Sequence, residues 1–170
     1  MKCMNHEAVI DSIMEQYEKA CMDMNVVYGP YSVGKTYIAK ELQNRLTSNH
    51  VVYLLGRLAN ESVHIRSIER GLDMPSGSFR TLEEALRRVF QMSVDKHMMF
   101  IIDDYPALVD TAPQVPILLR ELMETYRDYG KMFVLLMGTH VDELKGRILG
   151  ESSLIAPYIH SHFKVEPFTL

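Results

Sequence analysis

At 170 residues, 47% apolar and 24% charged, with a formal net charge of −4, the chain suits one α/β domain with a real core. It lacks the broad basic footprint that autonomous nucleic-acid binding requires. Cys3 and Cys21 are in no metal-ligand spacing, and neither a secretory apolar region nor a bilayer-spanning stretch is evident, so the expected setting is a reducing cytoplasm without membrane contact.

Helical and strand patterns alternate along the chain, the signature of a parallel sheet with crossover helices. Residues 6–21 place Ile10, Ile13, Met14 and Tyr17 on one helical face, and the run Asn25-Val26-Val27-Tyr28 reads as the first strand. It runs straight into Gly29-Pro30-Tyr31-Ser32-Val33-Gly34-Lys35-Thr36, a complete G-x-x-x-x-G-K-[ST]. In this chemistry glycines let backbone N–H groups close on a β-phosphate, Lys35 brings positive charge to the β and γ oxygens, and Thr36 offers a hydroxyl to Mg²⁺. The next helix, beginning near Gly34, points its N-terminal dipole at the same anion and adds Tyr37 to the expected nucleotide contacts. A turn that merely joins two elements is the competing reading. That helix carries Ile38, Ala39, Leu42 and Leu46 at helical period, and Val51 to Leu55 is the second strand.

Residues 56–80 are the least legible and read as a mobile stretch, with a short helix around 62–70 and the turn-rich Pro75-Ser76-Gly77-Ser78. Thr81-Leu82-Glu83-Glu84 is a capping box for a helix whose Leu86, Val89 and Phe90 face inward. Met98-Met99-Phe100-Ile101-Ile102 is an unbroken apolar run, as a strand buried on both faces requires, and it ends in Asp103-Asp104. A carboxylate at the C-terminal end of such a strand points into the ligand crevice of an open α/β sheet. Asp103 is therefore the expected Mg²⁺ partner, and Asp104 the group that polarises an attacking water. A helix cap or turn is the alternative for the pair.

Pro116 suits the first turn of a helix running to Gly130, with Leu119, Leu122, Met123 and Tyr126 as its apolar stripe and Arg120, Glu121, Glu124 and Arg127 on a solvated face. The strand Met132 to Met137 leads to Thr139-His140, and a last strand is expected at 162–166. Thr139 reads either as a sensor of the γ-phosphate or as the N-cap of a helix at 141–149. His160 and His162 stand at strand spacing with no third ligand, which favours a solvated pair over a metal site. The twelve methionines read as core filler.

A family resemblance rests on Glu83-Glu84-Ala85-Leu86, Phe100-Ile101-Ile102-Asp103-Asp104-Tyr105-Pro106-Ala107-Leu108, Gly138-Thr139-His140-Val141, Leu149-Gly150-Glu151 and Val165-Glu166-Pro167-Phe168, with Asn5-His6-Glu7 as the opening. These segments resemble the archaeal-type AAA ATPase domain of prokaryotes, in the signal-transduction (STAND) branch of P-loop ATPases. The resemblance implies a three-layer α/β P-loop NTPase of AAA/ASCE type with a five-stranded parallel sheet, the Thr139 strand lying between the phosphate-loop and Asp103 strands. It also implies binding of ATP with Mg²⁺, and ATP hydrolysis. Relatives of this type continue into a helical lid and a winged-helix region, so residues 1–170 are expected to be the core alone. A homo-oligomer or protein partner would then supply the lid or an arginine, and DNA would be met only through C-terminal domains.

Asp104 stands where the family usually has Glu, Thr139-His140 replace a Ser-Ser pair, His6 replaces Arg, and Tyr158-Ile159 falls where an Arg pair is common. These differences bear on turnover more than on binding, because a shorter carboxylate and a missing cation weaken charge stabilisation during phosphoryl transfer. Three readings follow. One is an ATPase module in which Lys35, Asp104 and Thr139 act on the γ-phosphate and water; another is a nucleotide-gated binding module with little turnover. The third is a small-molecule or nucleotide kinase, for whose acceptor Arg57, Arg66, Arg70, Arg80, Arg87 and Arg88 are available.

Overall fold

The computed structural model describes residues 3–29, 34–46, 50–138 and 153–165. The elements in chain order are β1 (Cys3–Met4), α1 (His6–Tyr17), β2 (Asp23–Tyr28), α2 (Lys35–Arg45), β3 (Val51–Leu55), α3 (Glu61–Gly71) and α4 (Leu82–Met92). There follow β4 (Met98–Asp103), α5 (Tyr105–Thr111), α6 (Val115–Thr125), β5 (Met132–Gly138), a 3₁₀ turn at Ala156–Tyr158, and β6 (Ile159–Val165). Strand order is β1-β6-β2-β5-β4-β3, and every pairing is parallel. The expected five-stranded parallel core is present, and two-residue β1 extends it at the β6 edge. As the resemblance implied, β5 lies between β2, which leads into the phosphate loop, and β4, which ends in Asp103.

Alternation along the strands divides the core into two layers, as a pleated strand requires. Val27, Ile101, Leu135 and Phe163 face α1 and α2, where Ile10, Ile13, Ile38 and Leu42 meet them. Val26, Phe100, Ile102 and Leu136 face the opposite way, against Ile68 of α3, Phe90 of α4, Leu108 of α5 and Leu119 of α6. All six residues of β4 and all seven of β5 are buried, which explains their continuous apolar runs. Each such large side chain contributes about 1.5–3 kcal/mol of transfer free energy.

Element boundaries differ from expectation where local hydrogen bonding outweighs periodicity. Helix α1 stops at Tyr17, not 21, because Lys19 N–H and Ala20 N–H close a turn on Gln16 and Tyr17 carbonyls and Ala20 takes φ 52°. Strand β2 begins at Asp23, two residues early, and β6 at Ile159, three residues early. Helix α6 ends at Thr125; the following residues to Gly130 turn back, with Gly130 N–H on the Tyr126 carbonyl at 2.8 Å. Helix α5 follows Asp104 directly with Pro106 in its first turn, and hydrophobic patterning does not reveal it because it is only seven residues long.

The stretch 56–80 is held by Ile68 and Leu72, which enter the core with Met74 and Phe79 against it, and by two carboxylates. Glu69, 1% exposed, accepts from Ser78 N–H at 2.6 Å and Phe79 N–H at 3.3 Å, folding the Pro75–Phe79 turn against α3. Glu61 accepts from Leu82 N–H at 2.9 Å and ties α3 to the start of α4. At that start the Thr81 hydroxyl accepts from Glu84 N–H, while the Glu84 carboxylate reaches Arg80 N–H rather than Thr81 N–H, a capping box displaced by one residue. The solvated face expected on α6 is laced with ion pairs: Arg87 of α4 forks onto both Glu121 oxygens at 3.1 and 3.3 Å.

Candidate functional site

The C-terminal ends of β2, β3 and β4 open on one cleft of about 270 Å³, lined by Gly34, Lys35, Thr36, Tyr53, Leu55, Arg57, Asp103 and Asp104. Parallel strands put it there: backbone groups at their C-terminal ends have no further ladder partner, and α2 begins at the same level. Five expected site residues, Gly34, Lys35, Thr36, Asp103 and Asp104, thus share one space although their two motifs lie far apart along the chain. Pro30, Tyr31, Ser32, Val33, Thr139 and the helix expected at 141–149 lie outside the described residues. Gly138, the residue before Thr139, pairs with Tyr28, and Gly29 N–H donates to the Gly138 carbonyl at 3.3 Å.

Gly34 has φ 78°, a left-handed conformation that only glycine adopts without strain, and it launches α2 directly from the loop. Lys35, the first residue of that helix, is 7% exposed, and its Nζ donates to the Gly29 carbonyl at 2.7 Å, spanning the loop from one end to the other. Burial lowers the Lys35 ammonium from its ordinary value, while Asp103 and then Asp104 pull it back up. Thr36 is exposed at the cleft surface. Tyr37 packs its ring edge-on to His6 at 6.1 Å and donates to Glu7 at 3.4 Å, so the Asn5-His6-Glu7 opening and the phosphate-loop helix meet on one side.

Asp103 closes β4, 7% exposed, and its Oδ2 accepts from the Tyr53 hydroxyl at 2.5 Å. Burial first, and then this bond, push the Tyr53 phenol above its ordinary value. The second Asp103 oxygen takes no hydrogen bond among the described residues. Asp104 has φ 52° and stands at the N-cap position of α5, yet its side chain makes no capping bond to that helix. Left-handed backbone costs a non-glycine residue about 1–2 kcal/mol. The geometry therefore disfavours a capping role for Asp104.

Sequence patterning does not place Tyr53, Gly56 or Arg57 in this cleft; by sequence Arg57 is only one of several arginines available to a kinase acceptor. Their common signal is topological, since β3 pairs with β4 in register Leu55↔Asp103, so whatever follows Leu55 meets whatever follows Asp103. Gly56 N–H donates to the Asp103 carbonyl at 2.7 Å, and a Cβ there would lie 2.4 Å from the Asp104 carbonyl and 2.9 Å from that of Asp103. Only glycine allows that approach.

The donor set fits magnesium and a polyphosphate. A hydroxyl and a carboxylate oxygen are hard ligands of the kind Mg²⁺ takes, and a buried ammonium beside a helix N-terminus suits phosphate. Elsewhere the residues considered for a metal or an arginine role lie apart. His160 Nδ1 is 3.5 Å from Asp23 at the start of β2, and Tyr158 bonds Glu124. Because Ile159 pairs with Met24 whereas Lys164 pairs with Tyr28, Tyr158-Ile159 sit at the end of the sheet opposite the cleft. Whatever residues occupied 158 and 159, they would not reach this chain's own cleft. No helix among the described residues is long and apolar enough to cross a membrane.

Comparison with known proteins bears on the family and the fold. The family described as "ATPase family associated with various cellular activities (AAA)" matches residues 25–156. The "Uncharacterized protein MJECL04" of Methanocaldococcus jannaschii is 22% identical over 164 residues, 96% of this chain and 35% of that protein. Among solved structures, the Orc2 protein of Aeropyrum pernix, described in ADPNP and ADP complexes, superposes with a TM-score of 0.69 at 16% identity over 94% of this chain and 46% of its own. Cdc6p of Pyrobaculum aerophilum gives 0.65 at 17% identity over 99% of this chain and 47% of its own. The chain thus spans about a third of the curated relative and about half of these structures, and at such identity the structures establish the fold alone.

Proposed function

The chain belongs to the AAA family of ATPases, and from that premise we propose that residues 1–170 form an ATP-binding core module that hydrolyses ATP with Mg²⁺ and serves as a nucleotide-dependent switch. The observation that carries the proposal is the meeting of Lys35, Thr36, Asp103 and Asp104 in one cleft at the ends of β2 and β4. In this reading the backbone from Gly29 through Pro30, Tyr31, Ser32 and Val33 to Gly34 cradles phosphate, and Lys35 neutralises its oxygens. Tyr37 lies beside the nucleotide. Thr36 and Asp103 hold magnesium, which when bound supplies Lewis-acid neutralisation of the β and γ oxygens. Asp104, which does not cap α5, orients and polarises water, and Thr139 senses the terminal phosphate.

A second reading, a nucleotide-gated interaction module with little turnover, draws on the short side chain of Asp104. In either case a second copy or a protein partner completes the assembly.

Calorimetry with MgATP tests the binding claim. Uptake is expected for the native protein and a loss of about a hundredfold or more in affinity for Lys35→Met, as removal of a charged phosphate contact predicts. Absence of uptake by folded native protein would end the proposal. Phosphate release with and without Asp104→Asn separates the two readings: a drop of about tenfold or more marks a hydrolase, and an unchanged trace marks a binding module.

A further inference from the structure

Among the described residues that line the cleft, Arg57 is the one cation to which the proposed function gives no role. It stands in the turn after β3, closed by Leu58 N–H on the Leu55 carbonyl at 3.3 Å. Gly56 locks that turn onto the carbonyls of Asp103 and Asp104, so the arginine is fixed at the rim of the same cleft by backbone rather than by chance of side-chain direction. It is exposed, and none of the hydrogen bonds or ion pairs among the described residues engages its guanidinium, although its charge is felt by the Tyr53 phenol. Among the described residues Arg45 is engaged by Glu7, Asp11 and Glu41, Arg87 by Glu83 and Glu121, and Arg127 by Glu124, whereas Arg70, Arg80 and Arg120 are not among the residues that line this cleft.

Charge in the cleft explains what such a residue is for. Among the described lining residues, Lys35 by itself would face two carboxylates, Asp103 and Asp104, a net negative set and a poor host for a polyanion. Arg57 brings the lining to neutrality, and a planar guanidinium offers paired N–H donors that match phosphate oxygens. Lys35 spans the loop that begins at Gly29, whereas Arg57 approaches from the β3 and β4 side, where Asp104 stands.

Resting on the ATP-binding reading, we propose that Arg57 contacts the terminal phosphate of the bound nucleoside triphosphate from within the same chain, so that the cleft distinguishes triphosphate from diphosphate. This assigns a cation to the site in cis from the tip of β3, at a position outside both sequence motifs. Lys35 remains the general phosphate ligand, common to both nucleotides.

The test is calorimetric affinity for MgATP and MgADP, measured on the native chain, Arg57→Ala, Arg57→Lys and Lys35→Met. Loss of a charged hydrogen bond predicts that Arg57→Ala weakens MgATP about tenfold to a hundredfold while MgADP changes by less than about threefold, with Arg57→Lys between. Lys35→Met should weaken both nucleotides. Equal effects of Arg57→Ala on the two nucleotides, or no effect on either, overturn the Arg57 assignment while leaving nucleotide binding intact. Failure of the folded native chain to bind either nucleotide overturns both claims. Exposure of Arg57 makes misfolding of its variants a poor explanation, and an unchanged melting temperature checks this.

Discussion

The two ends of the sheet solve different problems with similar residue types. At the N-terminal ends of β4 and β5, polar groups finish the fold. Met98 N–H meets the Lys131 carbonyl, Lys131 N–H meets Ser93, the buried Ser93 hydroxyl bonds Phe90, and the Tyr17 hydroxyl bonds the His97 carbonyl. At the C-terminal ends, charges are buried beside an open cleft, and two residues, Gly34 and Asp104, take positive φ. Polar burial that closes on itself stabilises, whereas polar burial that faces a cleft prepares a site; left-handed backbone at a non-glycine residue marks both ends, at Asp104 beside the cleft and at Ala20 ahead of β2.

Glycines at the two ends sharpen this contrast most. A Cβ at Gly56 would strike the Asp104 and Asp103 carbonyls, which are backbone and have nowhere to go, whereas one at Gly130 would first meet the flexible tip of Met22 at 2.4 Å. Gly56→Ala is expected to cost about 3 kcal/mol and Gly130→Ala about 1 kcal/mol. In melting experiments these are drops of about 6–12 °C and about 2–4 °C. Only Gly56→Ala should also weaken MgATP. Equal melting losses would show that the two ends tolerate an added Cβ alike.

A smaller effect is expected at Tyr53, whose hydroxyl fixes Asp103. Tyr53→Phe should lose about 1–2 kcal/mol of stability, as a hydrogen bond to a carboxylate predicts, and should raise the magnesium concentration needed for nucleotide binding several-fold. The matching change at the other end, Tyr17→Phe, should cost about 1 kcal/mol and leave magnesium dependence unmoved. Magnesium titration followed by nucleotide uptake distinguishes them.

The smallest effect concerns pH and lies at the far end. Burial lowers the His97 imidazole from its ordinary value of 6.5, with Tyr17 packed edge-on at 3.7 Å. Below pH 6.5 the unfolded chain therefore binds more protons than the folded one, so stability is full above that value and falls as pH drops through the lowered folded value. His64 and His162, also lowered chiefly by burial, act in the same direction. Melting curves from pH 7.5 down to about 5.5 should show the decline, and His97→Gln should flatten part of it. A melting temperature that rises on acidification would contradict the assignment.

Much of the cleft is legible in the order of residues. The Gly29 to Thr36 loop and the buried run ending in Asp103-Asp104 carry their chemistry in adjacent residues, so spacing alone exposes them. Tyr53, Gly56 and Arg57 carry no such pattern. Their place in the cleft depends on β3 lying in register beside β4, and nothing in the chain's linear order states which strands become neighbours. Helix α5 escapes notice for a related reason: its seven residues are too few to show a period, and it is held by Tyr105 and Leu108 in the core shared with α6.

What the sequence determined by itself is local: element types, the two motifs and their apolar strands, because periodicity and turn chemistry act between near neighbours in the chain. Tertiary structure alone decided that Tyr158-Ile159 fall at the far end, and that an arginine from β3's tip enters the cleft; it also realised the placing of β5 between β2 and β4 that only family likeness, not spacing, had implied. Those are outcomes of strand order and register, fixed by burial of both sheet faces at once rather than by any single segment.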